Sequence, residues 1–87
     1  MIRIESSEDL DIVMLALSGR IQAEDLPELK RVMQSYSQPV VLNLTGIKLV
    51  DRATVEFLAE FEANNGKITG CPGFIREWIW SEQADIS

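Results

Sequence analysis

"LNLTGIKLVDRATVEFLAEF", residues 42–61, is the stretch whose reading decides the fold of this chain. Its first half is apolar and β-prone. Its second half carries Val55, Leu58 and Ala59 at helical spacing, with Phe57 and Phe61 widening the same edge. The spacing predicts a buried strand over Pro39–Leu44, with Val40, Val41, Leu42 and Leu44 inward, and a turn at Thr45-Gly46. "IKLV" then leads into a helix over Arg52–Asn64. Asp51 stands where an N-cap is expected, and "NNG" at residues 64–66 supplies the stop. Between strand and helix lies a charged corner, Asp51-Arg52. Corners of this kind are where many α/β proteins keep their working residues.

Working outward, "IRIES" (Ile2–Ser6) alternates as a strand with one buried face, and polar "SEDLD" makes a turn. "IVMLALSGRI" (Ile12–Ile21) is almost continuously apolar until Ser18 and reads as a central strand buried on both faces. In "AEDLPELKRVMQSY" (Ala23–Tyr36), Leu26, Leu29, Val32, Met33 and Tyr36 form one helical stripe that should stop before Pro39. Asp25 and Glu28 stand at capping-box spacing there, and Pro27 suits a first turn. "KITGC" is a short strand. "PGFIREWIWSEQ" (Pro72–Gln83) is a last helix burying Phe74, Ile75, Trp78 and Ile79, with Trp80 off that stripe.

The expected order is β-β-α-β-α-β-α. This is a small single-domain α/β fold over residues 1–83, a mixed sheet of about four strands covered by three helices, with a frayed tail at 84–87.

A chain of 87 residues with 46% apolar and 25% charged residues suits one globular domain with a single core. A net charge of −6, without a local Lys/Arg cluster, argues against nucleic acid as a partner. No apolar run approaches a bilayer span, and "MIRIESSEDLD" lacks the hydrophobic region of a signal peptide, so a cytoplasmic location without membrane insertion is expected. The single Cys71 cannot form an internal disulfide, which fits a reducing compartment. There is no histidine, which removes the commonest general base and metal ligand. No metal or cofactor and no catalytic activity are expected.

"LALSGRIQAEDLPELK" and "VVLNLTGIKLVDRATVEFL", in that order and at matching spacing, resemble the STAS domain family (sulfate transporter and anti-sigma-factor antagonist). The first is similar to the family's Leu-x-Gly-x-Leu-Asp before helix one. The second is similar to Val-Val-Leu-Asp-Leu-Ser-Gly-Val followed by Asp-Ser-Ser-Gly. The resemblance runs from about Ile2 to Ile79. It implies a compact α/β module that binds protein partners and performs no chemistry. In the family's bacterial switch members, an ATP-binding serine kinase phosphorylates a serine in the Asp-Ser-Ser-Gly corner and so breaks the partner complex, the phosphate adding about −1.5 to −2 charges at pH 7.

With Asp51 on the family aspartate, Arg52 falls at the first serine, Ala53 at the usual phosphoacceptor and Thr54 at the glycine. Ala53 has no hydroxyl, so the standard switch cannot operate there. Asn43 stands where the family usually has an aspartate. Three readings of "DRAT" stay open. In the first, Asp51 caps, Arg52 and Thr54 are solvated and Ala53 packs near the preceding loop. In the second, the corner is a constitutive binding face with Arg52 as a fixed positive charge. In the third, regulation moves to phosphorylation of Thr54 or Thr45.

The remaining candidates read as structural. Glu56, Glu60 and Glu62 make a solvated helix face, Cys71 is a small hydrophobe, and Ser18 lacks a nucleophile elbow. Trp80 either folds over the sheet edge or is an exposed anchor at a subunit contact, with a homodimer as one outcome. The expected function is protein interaction in transcription regulation, with an anti-sigma factor or serine-kinase-like ATPase as partner. Arg52, Ala53, Thr54 and Glu56 would touch that partner, and Asn43, Thr45 and Asp51 would shape the corner. The alternative is an auxiliary subunit docking on the ATPase of an ABC lipid transporter.

Overall fold

The computed structural model describes the backbone of residues 2–86 and the side chains as far as Glu82. Strand β1 (Ile2–Glu8) pairs antiparallel with β2 (Val13–Ile21), and the hairpin tip is held by Asp9 N–H donating to the Ile12 carbonyl at 2.9 Å. A 3-10 turn (Ala23–Asp25) runs directly into α1 (Leu26–Gln34). Strand β3 (Val40–Val50) lies parallel to β2, α2 (Arg52–Ala63) follows, and β4 (Lys67–Thr69) adds parallel to β3. Helix α3 (Gly73–Ile86) is the last element of the described residues. The result is the expected small α/β fold, one mixed sheet of order β1-β2-β3-β4 with three α-helices.

The steps from β2 to β3 to β4 advance in one direction, and right-handed crossovers then put α1 and α2 on the same face of the sheet. The core follows from this. Val13, Leu15, Leu17, Leu42 and Leu44 form a single cluster with Leu26 and Leu29 of α1, Val55, Leu58 and Ala59 of α2, and Ile75 and Ile79 of α3. Strand β2 is therefore not buried on both faces. Val13, Leu15 and Leu17 point into the helices, whereas Met14, Ala16 and Ser18 alternate onto a half-covered face.

Other expectations shift by local physics. Thr45-Gly46 is not a turn. β3 continues through it for another half-length, because two register shifts against β2 absorb extra residues as bulges. Gly46 is needed there, since a Cβ would come within 2.7 Å of the Ser18 Cβ on β2.

At the start of the first helical segment the reaching acid is Asp25, whose carboxylate accepts from Gln22 N–H at 2.9 Å, rather than an Asp25–Glu28 pair. The segment is 3-10 before it is α, and it stops at Gln34. Strand β4 ends at Thr69 instead of reaching Cys71. Phe74 is 51% exposed, not buried, because α3 lies at the edge of the helical layer and presents that side to solvent. The backbone of α3 continues through residues 84–86, and Ser87 lies outside the described residues.

The stop at "NNG" holds in detail. Asn65 adopts φ 70° after the last helical residues, its N–H reaches the Glu62 carbonyl at 3.1 Å, and Gly66 N–H reaches Phe61 O at 2.9 Å. That is a Schellman motif with asparagine in its left-handed position.

Candidate functional site: the amino-terminal corner of α2

Strand β3 ends at Val50, and Asp51 adopts an extended backbone, φ −101° and ψ 177°, before the chain turns into α2. Three donors converge on its carboxylate. Oδ1 accepts from Thr54 N–H at 2.9 Å and from the Thr54 hydroxyl at 2.7 Å, while Oδ2 accepts from Ala23 N–H at 2.8 Å. The first of these is the N-cap bond expected from sequence. The last ties α2 to the turn that follows β2, a link 28 residues long in sequence. Asp51 is thus a clamp between two helix starts. The Thr54 hydroxyl, opposed by partial burial and helped by the backbone N–H groups of Thr54 and Ala23, holds its carboxyl below the ordinary aspartate range.

Thr54 is fully buried. Its hydroxyl has a second acceptor, the Ile21 carbonyl at 3.1 Å, so it closes the gap between α2 and the end of β2. A hydroxyl has one proton to donate, and the shorter, charge-assisted contact to Asp51 takes it. The expectation of a solvated, partner-touching or phosphorylated Thr54 meets this geometry directly. A kinase would have to lift the first turn of α2 to reach it.

Around this clamp, Arg52 is exposed, and its Nε lies 3.3 Å from Glu56 Oε1 and 3.6 Å from Glu82 Oε1. The side chain expected to offer a fixed positive charge is therefore matched by two carboxylates, one of them near the end of α3. Ala53 is half-buried, its methyl group packed toward the core beside the exposed Arg52 and Glu56. The surface of the corner consists of Arg52, Ala53 and Glu56 on a backbone fixed by Asp51.

Asn43 and Thr45 are not part of it. Asn43 Oδ1 accepts from Thr45 N–H at 2.9 Å and from the Thr45 hydroxyl at 2.6 Å, which satisfies the amide that the first bulge removes from the ladder. The neighbour of this pair is Gly70, with φ +60°, where a Cβ would strike Thr45 Oγ1. Six residues of strand separate Thr45 from Asp51, roughly 20 Å at strand rise. A turn at Thr45-Gly46 would have joined the two groups, whereas the continuous strand keeps them apart. Thr45 is exposed and remains accessible to modification, but at a different place.

Sequence reasoning missed Glu82, the backbone of Ala23 and the carbonyl of Ile21, all of which meet the corner from distant segments. It also missed the lock at the far end of α2. There Arg76 Nη1 donates to both Glu62 oxygens at 2.7 and 2.8 Å. Together with the Arg52–Glu82 contact this runs α3 antiparallel to α2. Burial raises the nearby Cys71 thiol, against the pull of Arg76.

Two features bear on the chemistry. A groove between α1 and α2, lined by Lys30, Phe57, Glu60, Phe61 and Asn64, holds about 210 Å³, below the size of most small-molecule sites. Among the described residues no group of His, Cys, Asp or Glu is arranged to hold a metal ion, and no helix is long and apolar enough to cross a membrane. Compared with protein-family models and with curated protein sequences, the chain matches none.

Proposed function

We propose that this chain is a STAS-type protein-interaction module. It binds an anti-sigma factor or a related serine-kinase-like ATPase through the first turn of α2, without a phosphoswitch at that turn. The observation that carries the reading is Ala53. It occupies the first turn of α2 at a corner clamped by Asp51, with the small side chain half-buried between exposed Arg52 and Glu56. A small residue on a fixed backbone admits close approach by a partner, and the absence of a hydroxyl leaves a kinase nothing to modify there.

The helix terminus is capped in part. Asp51 accepts the Thr54 N–H, and its own carbonyl takes the Val55 N–H at 3.1 Å as the first bond of the helix. Recognition by shape and by the charges of Arg52 and Glu56 is what this surface supports. Because Arg52 already faces two carboxylates, a partner that brings a cation opposite Glu56 fits better than one that brings an acid.

The test places a photo-cross-linking amino acid at Arg52 in the full chain inside its native cells, with a second version at Lys67 on the far side of the sheet. Adducts from position 52 with a kinase-like ATPase, absent from position 67, are expected. An adduct with a transporter ATPase instead would make the chain an auxiliary subunit of an ABC lipid-transport machine. Identical adducts from both positions, or none from position 52, would overturn the corner as the binding face.

A further inference from the structure

An open sheet ends on each side in a strand with one row of backbone groups unpaired, and proteins protect such edges with proline, a bulge, a very short strand or charged side chains. The two edges of this sheet differ. Strand β4 is only three residues long, Lys67–Thr69. Strand β1 runs for seven, and it pairs with β2 in an unbroken register from Ile2↔Gly19 to Glu8↔Val13, without proline or bulge. Among the described residues, no backbone group of β1 bonds to a segment other than β2. Its outer N–H and C=O groups are left to whatever strand can match them.

The side chains of β1 divide by face. Ile2 and Ile4 stand opposite Gly19 and Leu17 and pack against the core on the helical side. Arg3 and Glu5 stand opposite Ser18 and Ala16 on the open side, exposed and joined by an ion pair of 2.9 Å. Charge on an edge ordinarily discourages self-pairing, because a second copy of the strand brings the same charge. Here the two signs flank Ile4, and reversal of the strand about Ile4 exchanges them.

A two-fold axis normal to the sheet joins two β1 edges antiparallel and keeps like faces together, so odd residues meet odd and even meet even. Few registers remain. Centring on Arg3 or on Glu5 sets like charges opposite each other. Centring on Ile2 overlaps little of the strand, and centring on Ser6 sets Ile4 against Glu8. Centring on Ile4 places Arg3 against Glu5 of the second copy, twice by symmetry, and Ile4 against Ile4.

We propose that this chain forms a two-fold dimer through β1 in the register centred on Ile4, merging two four-stranded sheets into one of eight strands. On the open side each Arg3 lies between its own Glu5 and that of the second copy, so the four charges alternate. On the helical side the two Ile4 side chains, each half-buried in its own chain, cover one another. The contact is isologous and closes at two copies. It is one strand wide, and each copy carries a net charge of −6, so the dimer is weak and loosens further as salt screens its exposed ion pairs. This inference does not depend on the binding role of the α2 corner.

The experiment is sedimentation velocity of the full chain in low salt at rising concentration, up to about 1 mM, the range of a weak contact. Wild type is compared with Arg3→Glu, with Glu5→Arg, with an equimolar mixture of these two, and with the double exchange Arg3→Glu/Glu5→Arg. Both side chains are exposed, so the fold should survive, and circular dichroism verifies it. Wild type is expected to move from the 9.8 kDa of one chain towards twice that mass and no further. Each single variant sets like charges opposite each other and is expected to stay monomeric. The mixture and the double exchange restore opposite charges in this register and are expected to dimerise. A wild-type chain that stays monomeric throughout, or that grows beyond two copies, would overturn the proposal. So would single variants that dimerise as well as wild type, or a mixture or double exchange that stays monomeric while wild type dimerises.

Discussion

Replacing Asp51 with alanine removes three hydrogen bonds at once, and the structure says what each is worth. The bond to Thr54 N–H is an N-cap, whose loss costs typically about 1 kcal/mol within a range of roughly 0.5–2. The Thr54 hydroxyl is buried but keeps the Ile21 carbonyl at 3.1 Å as an acceptor, so it is not orphaned and adds little. Ala23 N–H is exposed and water replaces its partner. The expected loss is therefore about 1–2 kcal/mol at neutral pH, or roughly 4–15 °C in melting temperature for a domain of this size.

The loss should depend on pH with a definite sign. The Asp51 carboxyl is depressed in the folded chain, so its contribution is fully present above the unfolded value of roughly 3.9 and disappears as pH falls through the lower folded value. Urea denaturation of wild type and Asp51→Ala at pH 7 and at a series of pH values down to 2.5 reads this directly. The gap should be full at pH 7 and should narrow only below about pH 4. Equal midpoints at pH 7, or a gap that stays constant into strong acid, would refute the clamp.

Gly70→Ala should cost more than about 1 kcal/mol in the same assay, because φ +60° is strained for alanine and the new methyl strikes the Asn43–Thr45 pair. An unchanged midpoint would contradict the close approach. Asn65→Gly should stabilise the chain by roughly 0.5–1 kcal/mol, since the left-handed residue closing α2 loses its steric penalty, and a lower midpoint would contradict the Schellman geometry. Cys71, raised by burial, should react with a thiol reagent at pH 8 several-fold more slowly in the folded chain than in urea, and equal rates would place the thiol in open solvent.

The sequence made the strands and helices legible wherever one residue's neighbours decide its state. The apolar stripe of α2, its Asp51 cap and its asparagine-glycine stop are all local, and each was readable from spacing alone. What stayed hidden depends on elements meeting across the fold. Thr45-Gly46 has the composition of a turn, and only its pairing with Ser18 on β2 turns it into a bulge in a continuous strand. That one difference moved Asn43 and Thr45 away from the α2 corner.

Thr54 is polar and sits at the edge of a stripe. Nothing local announces that its hydroxyl has a buried acceptor 33 residues earlier. The second face of β2 looked apolar enough to be core, with Met14 and Ala16, but the sheet order places every helix on the other side. Phe74 belongs to the helical pattern of α3 and is exposed because no further helix lies beyond it.

The central claim, that the first turn of α2 is the binding face, is tested most directly by calorimetric titration. The ATPase captured through position 52 is titrated against the wild type, Ala53→Glu and Ala53→Ser chains, each verified as folded. Glutamate in a first turn is favourable to the helix dipole, so the fold should survive while bulk and an unpaired charge enter the interface. Wild type and the serine variant are expected to bind alike in the absence of ATP, and the glutamate variant at least tenfold more weakly, about 1.4 kcal/mol. Undiminished binding by Ala53→Glu would contradict the account.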